Sequence, residues 1–159
     1  MKDFNQALSY SFLLLKYRAR SKTELVRRLK EKKYSGSVVK QTVQYLEKNN
    51  YIDDKEFARL FILSAIEKGW GPRKVDFRLK QLGVSYDLRK PTPTLNTAFN
   101  NKLSQIVEER VTCLKKQKPP LSSKKISQKV MRLVLSRGFN YSEVSRIIDG
   151  LGVTNFENC

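Results

Sequence analysis

The sequence predicts an all-α protein: tandem three-helix repeats forming an elongated, curved array. Three observations predict it. Apolar residues recur with a helical period almost throughout, and no convincing alternating stretch argues for a strand. Helix-start signals punctuate the chain. Apolar positions also return after about 50 residues: Leu25, Val75 and Ile126 lie 50 and 51 apart, as do Leu29, Leu79 and Val130. Phe12 and Phe61 are 49 apart, and Leu15, Ala65 and Leu114 are 50 and 49 apart. The expected repeats are 1–50, 51–94 and 95–159.

The elements follow in order. Phe4, Leu8, Phe12 and Leu15 form the first apolar stripe, Leu25, Val26 and Leu29 the second, and Val39, Val43 and Leu46 the third. Ser21 to Glu24 reads as a capping box, in which the cap side chain and the glutamate three residues on satisfy each other's backbone N–H. The second repeat opens at "NYIDDKEFA", residues 50–58. There Asp53 reads as N-cap, Glu56 as its box partner, Ile52 and Phe57 as a hydrophobic staple, and Asp54 as a carboxylate at the positive end of the helix dipole. Phe57, Ala58, Phe61, Ile62 and Ala65 face the core of that helix. Gly71-Pro72 starts the next, with proline at N1 and Val75, Leu79 and Leu82 inward. Pro91 and Pro93 interrupt "DLRKPTPT" at 87–94, where the third helix of the middle repeat is due. A long helix is expected over about 95–116, with Leu95, Phe99, Leu103, Ile106 and Leu114 inward and Cys113 as a small buried residue. "KKQKPPLSS" at 115–123 is a second joint. Ile126, Val130 and Leu133 mark the next helix, and Val144, Ile147 and Leu151 the last. That last helix opens on an Asn140–Glu143 box with Phe139 and Val144 as its staple.

Composition narrows the function. Among 159 residues, 32 are Lys or Arg and 15 are Asp or Glu, a net charge of +17. A surface so basic favours polyanions, nucleic acid first, with acidic proteins and anionic membranes drawn by the same field. Residues 1–50 carry net +8, residues 51–95 net +3 and residues 96–159 net +6. No apolar run is long enough to span a bilayer, so no membrane is expected. The four-residue apolar core of "FLLLKYRAR", at 12–20, is too short for a signal peptide. Cys113 and Cys159 do not suggest a disulfide framework, which fits a reducing cytoplasm.

Histidine is absent, which removes Ser-His-Asp and Cys-His catalysis and His-containing zinc sites. Neither a GxxxxGK[ST] loop nor a GxGxxG turn occurs. No catalytic residue, metal or cofactor is expected. The Asp53/Asp54/Glu56 cluster, the one metal-like constellation, is accounted for by helix capping.

The second helix of each repeat concentrates the bases. These are Lys22, Arg27, Arg28, Lys30, Lys32 and Lys33 in the first, and Arg73, Lys74, Arg78 and Lys80 in the middle. The last supplies Lys124, Lys125, Lys129, Arg132 and Arg137. On a helical wheel they flank the apolar stripe without forming one narrow row. They are the expected contacts to nucleic acid, set against the plainer reading of a solvated, solubilising surface. Trp70, between Gly69 and Gly71, fits a plug at the joint between repeats better than an exposed partner anchor. Tyr34, Tyr51 and Tyr141 read as core edges rather than base-stacking platforms.

Four stretches, in this order, resemble the RecX family of recombinase modulators. They are "LLLKYRARSKTELVRRLKEKKY" at 13–34, "YIDDKEFARLFI" at 51–62, "KGWGPRKVDFRLKQLGV" at 68–84 and "SRGFNYSEVSRII" at 136–148. The prolines at 91 and 93 depart from the family, which usually has a helix there. The resemblance implies tandem three-helix repeats and a regulator, not an enzyme. It implies binding to the RecA recombinase filament along its groove, mainly inhibiting ATP hydrolysis and strand exchange, with roles in homologous recombination, DNA repair and the SOS response. Partners would be that filament and single- and double-stranded DNA, for a cytoplasmic monomer. The alternative is a direct helix-turn-helix-type DNA-binding transcription regulator.

Overall fold

The computed structural model describes residues 3–86, 88 and 91–153; Cys159 and the Asp87, Arg89 and Lys90 of the proline-rich stretch lie outside them. Eight helices account for the fold, and no strand occurs among the described residues. They are α1 (Phe4–Tyr17), α2 (Lys22–Glu31), α3 (Gly36–Lys48), α4 (Asp54–Glu67), α5 (Pro72–Gln81), α6 (Pro93–Lys115), α7 (Ser123–Ser136) and α8 (Tyr141–Gly150). Two compact units form, one from 1–61 and 78–86 and the other from 62–77 and 87–159, so α4 and α5 each contribute to both.

In the first unit α3 packs on both α1 and α2. The core holds Ala7, Leu25, Leu29, Val39, Val43, Leu46 and Ile52. The α1 stripe read from sequence is displaced: Phe4, Leu8, Phe12 and Leu15 are half-buried, and the innermost residues are Ala7 and Ser11. Small side chains let α1 approach its neighbours closely, while the Ser11 hydroxyl is satisfied by the Ala7 carbonyl at 2.8 Å. In the second unit α6, α7 and α8 pack on one another. Phe99, Leu103, Val107, Leu114, Val130, Val134, Val144 and Ile148 are among the side chains they bury.

Local chemistry sets the helix ends. The Asp3, Ser21, Ser35, Thr92 and Ser122 side chains each accept the backbone N–H three residues on. The long helix begins at Pro93, because a proline that cannot continue a helix is well suited to open one. Cys113, expected buried, is exposed. It falls between the inward positions Val111 and Leu114, on the solvent side of α6.

The repeat is written in the backbone. α4 and α5 reproduce the limits of α1 and α2 with a shift of 50 residues. Lys33, Gly83 and Gly138 end the second helices in the same left-handed conformation, with φ of 62°, 70° and 90°. Their spacings are 50 and 55. The third copy is thus offset by 55 residues and not by 51. Val130 and Val134, rather than Ile126 and Val130, stand where Val75 and Leu79 stand, and α7 starts one turn early. No helix occupies the described residues between α5 and α6.

Candidate nucleic-acid interface

The N-termini of α2 and α5 are clamped in parallel ways. The Ser21 hydroxyl accepts from Glu24 N (3.2 Å) and donates to the Leu82 carbonyl (2.7 Å), which follows α5. The Lys22 N–H goes to Asp54 Oδ1 at 2.9 Å, so the carboxylate expected to serve only its own helix also caps α2. At α5, which begins on glycine and proline, the turn after α7 supplies the acceptors. Gly71 N–H donates to the Arg137 carbonyl at 2.7 Å and Arg73 N–H to the Gly138 carbonyl at 3.1 Å. These contacts hold the two basic helices from their first turns. They also occupy backbone donors that a phosphate would otherwise take at a helix N-terminus.

The acidic cluster behaves as caps. Asp53 Oδ1 accepts from Lys55 N (2.7 Å) and Glu56 N (3.3 Å). Glu56 does not close the expected box; it pairs with Arg59 at 2.7 and 2.9 Å. That hydrogen bond, aided by charge attraction and opposed by desolvation, lowers the Glu56 carboxyl below its ordinary value and raises Arg59. Glu24 likewise leaves its box. It is buried and held by Arg18 and Arg20, the latter at 2.8 Å. Only at α8 does the glutamate reach back, Glu143 accepting the Asn140 N–H at 3.3 Å. Among the described residues no group of three or more His, Cys, Asp or Glu could hold a metal ion.

The fifteen expected contact residues divide by their ties. Lys22 Nζ is paired with Glu47 at 2.7 Å, and Arg27 and Arg28 share Glu31 at 3.7 and 3.1 Å. Lys32 lies over the Tyr10 ring and Lys74 over the Trp70 ring, at 5.6 and 4.8 Å. Arg78 bonds Gln81 at 2.8 Å. Lys74 and Arg137 are half-buried, and the other thirteen, Lys80 among them, are exposed. Lys30, Lys33, Arg73, Lys124, Lys125, Lys129 and Arg132 make no ion pair among the described residues.

Helix α7 departs from the expectation that the bases flank the apolar stripe without forming one narrow row. Lys125, Lys129 and Arg132 stand at i, i+4 and i+7, which places them in one row on the helix surface. The helix contains no acidic residue, and its opposite face buries Ile126, Val130 and Val134. The row is readable from the spacing within α7 alone. Pooling the bases of all three helices hides it.

Trp70 is half-buried and carries the Lys74 ammonium on its ring, so it is neither a closed plug nor a bare anchor. Tyr34 is half-buried; Tyr51 and Tyr141 are exposed, Tyr51 meeting Phe12 edge-on at 4.8 Å. None of the described helices is long and apolar enough to cross a membrane.

Comparison with known proteins agrees with this architecture. The family model described as "RecX, first three-helix domain" matches residues 7–46, and "RecX, second three-helix domain" matches 53–90. The Regulatory protein RecX of Actinobacillus pleuropneumoniae serotype 5b (strain L20) is 30% identical over 145 residues, 90% of this chain and 91% of its own. That of Bacillus subtilis (strain 168) is 28% identical over 158 residues, 99% of this chain but 58% of its own length. Among solved structures, RecX from Lactobacillus salivarius superposes with a TM-score of 0.78 at 17% identity, over 96% of this chain and 98% of that one. Family models on both of its first two helical domains, and a relative matched over nearly its whole length, lead to one conclusion: the chain belongs to the RecX family.

Proposed function

We propose that this protein binds the RecA–DNA filament and restrains its ATP hydrolysis and strand exchange, acting as a cytoplasmic regulator without catalysis of its own. Its relatives are named regulatory proteins. The observation that carries the contact to a polyanion is the row Lys125, Lys129 and Arg132 on α7, exposed and with no acid on the helix. Such a row suits successive phosphates, which position a protein without reading sequence. The chain is taken as helical repeats over 1–50, 51–94 and 95–159, acting as a monomer.

The test is a titration of this protein into RecA on single-stranded DNA at two salt concentrations, following ATP hydrolysis and strand exchange. Suppression at modest protein concentration, weaker at the higher salt, is expected. Unchanged ATPase and strand exchange at saturating protein overturn the reading. A footprint at one defined DNA sequence would instead favour a helix-turn-helix transcription regulator.

A further inference from the structure

Phe77 is the only exposed phenylalanine among the described residues, with 58% of its surface in solvent. It sits in α5, four residues after Arg73 and three after Lys74, so both cations are its neighbours on the helix surface. Lys74 in turn lies over the Trp70 ring at 4.8 Å. An isolated exposed apolar side chain is ordinary. This one differs in its company: ring, ammonium, ring and guanidinium gather over residues 70–77. Among the described residues Tyr17 and Tyr141 are also exposed without a ring contact, so what sets Phe77 apart is the Trp70–Lys74 pair beside it and not its exposure. Tyr45 and Tyr51 rest edge-on against Phe4 and Phe12 at 5.7 and 4.8 Å. Phe77 makes no ring contact among the described residues.

We infer that Phe77 is a base-stacking platform for single-stranded DNA, with Arg73 and Lys74 taking the flanking phosphates. An unpaired base offers a π-face that a duplex keeps inside its stack, whereas phosphates are common to both. The pairing of an open ring with adjacent cations therefore selects the single strand. This inference rests on the proposed filament-binding function, which brings DNA to the protein, and adds a strand preference that the basic rows alone do not provide.

The experiment measures anisotropy of labelled oligo(dT), of a duplex with the same number of phosphates, and of oligo(U). It compares the full chain with Phe77→Ala and Phe77→Trp, matched by circular dichroism. Phe77→Ala is expected to weaken oligo(dT) by about five- to a hundredfold. The duplex should be unaffected and the salt slope unchanged, since no charge is removed. Phe77→Trp should restore binding. Equal oligo(dT) affinity in Phe77→Ala overturns the inference, as does a parallel loss on duplex, a failure of tryptophan to restore, or tighter binding to oligo(U). Wild-type protein that binds none of the three would sink the polyanion reading itself. Wild-type binding that is indifferent to Phe77 would sink this inference alone.

Discussion

Gly71 and Gly138 meet backbone to backbone: a β-carbon on Gly71 would lie 2.5 Å from the Gly138 carbonyl, and one on Gly138 would lie 2.5 Å from Lys74 N. The contact is what allows Gly71 N–H to reach the Arg137 carbonyl at 2.7 Å. Gly138 is also in the left-handed region, at φ 90°, where a side chain is strained whatever the space.

Gly71→Ala should therefore force the α7–α8 turn away from α5, and overpacking of this kind costs about 1–3 kcal/mol. Gly36→Ala is the control. Gly36 opens α3, and a β-carbon there would meet nothing within 4 Å, so its substitution should be neutral or slightly stabilising. Urea unfolding of both variants checks the pair; equal midpoints would mean that the close approach carries no energy.

Glu24 is buried and bonded to Arg18 and Arg20, and Arg20 is itself nearly covered, its side chain 10% exposed. Glu24→Gln removes the charge that compensates Arg20. Arg18, half in solvent, can rehydrate, so the loss should fall near the lower end of the range for breaking a buried pair, about 3 kcal/mol. Arg18→Ala should cost less than Arg20→Ala. Chemical denaturation of the three variants gives the order, and a reversed order would mean that Arg18 is the dominant partner.

These two sites mark what can be read from sequence. Ser21, Asp53 and Asn140 are legible as helix starts because capping is local, written within four residues. The partners of Glu24 and Glu56 are not, because a capping box and an arginine pair need the same glutamate and only packing decides between them. The Gly71–Gly138 contact spans 67 positions. Its only sequence signal is two glycines beside helix ends, which ordinary turns also carry. The 50-residue repeat is visible in Leu25 and Val75, where both helices have equal length. It slips by one turn in the third copy, since Ile126 and Val130 match an apolar pattern that any turn of α7 would satisfy. Cys113 is misplaced for a related reason: periodicity does not say which side of a long helix a lone small residue takes. Of the contact surface, the basic residues are evident in the sequence but their ties to Glu31, Glu47, Tyr10 and Trp70 are not.

The caps at α4 can be separated by pH and mutation. Asp53→Ala should cost about 0.5–2 kcal/mol, as an N-cap with two N–H partners. Asp54→Ala strands Lys22 N–H and should loosen α2, which hydrogen exchange at Lys22 would report. Glu56 has a lowered folded-state pKa because Arg59 bonds its charged form. Its contribution is thus present above the unfolded carboxylate value and is lost as pH falls through the lower, folded one. A carboxyl-carbon NMR titration should place the Glu56 midpoint below the ordinary range and Arg59→Ala should move it up. An unmoved midpoint would mean that the pair does not persist in solution.

The row on α7 makes the sharpest functional prediction. Lys125, Lys129 and Arg132 are exposed and make no ion pair among the described residues, so neutralising any one leaves no stranded acid. Lys129→Ala should leave the unfolding midpoint nearly unchanged, within about 0.5 kcal/mol, as surface substitutions usually do. If Lys129 meets a phosphate, the same variant should bind DNA more weakly, without regard to sequence, and flatten the plot of log affinity against log salt by about one unit. Lys22→Ala is the contrast. Its ammonium is already shared with Glu47 at 2.7 Å, so less of its charge is available to release counterions. The salt slope should therefore change more for Lys129→Ala than for Lys22→Ala. Equal changes would show that position on the helix does not matter and that the +17 charge acts only as a diffuse field.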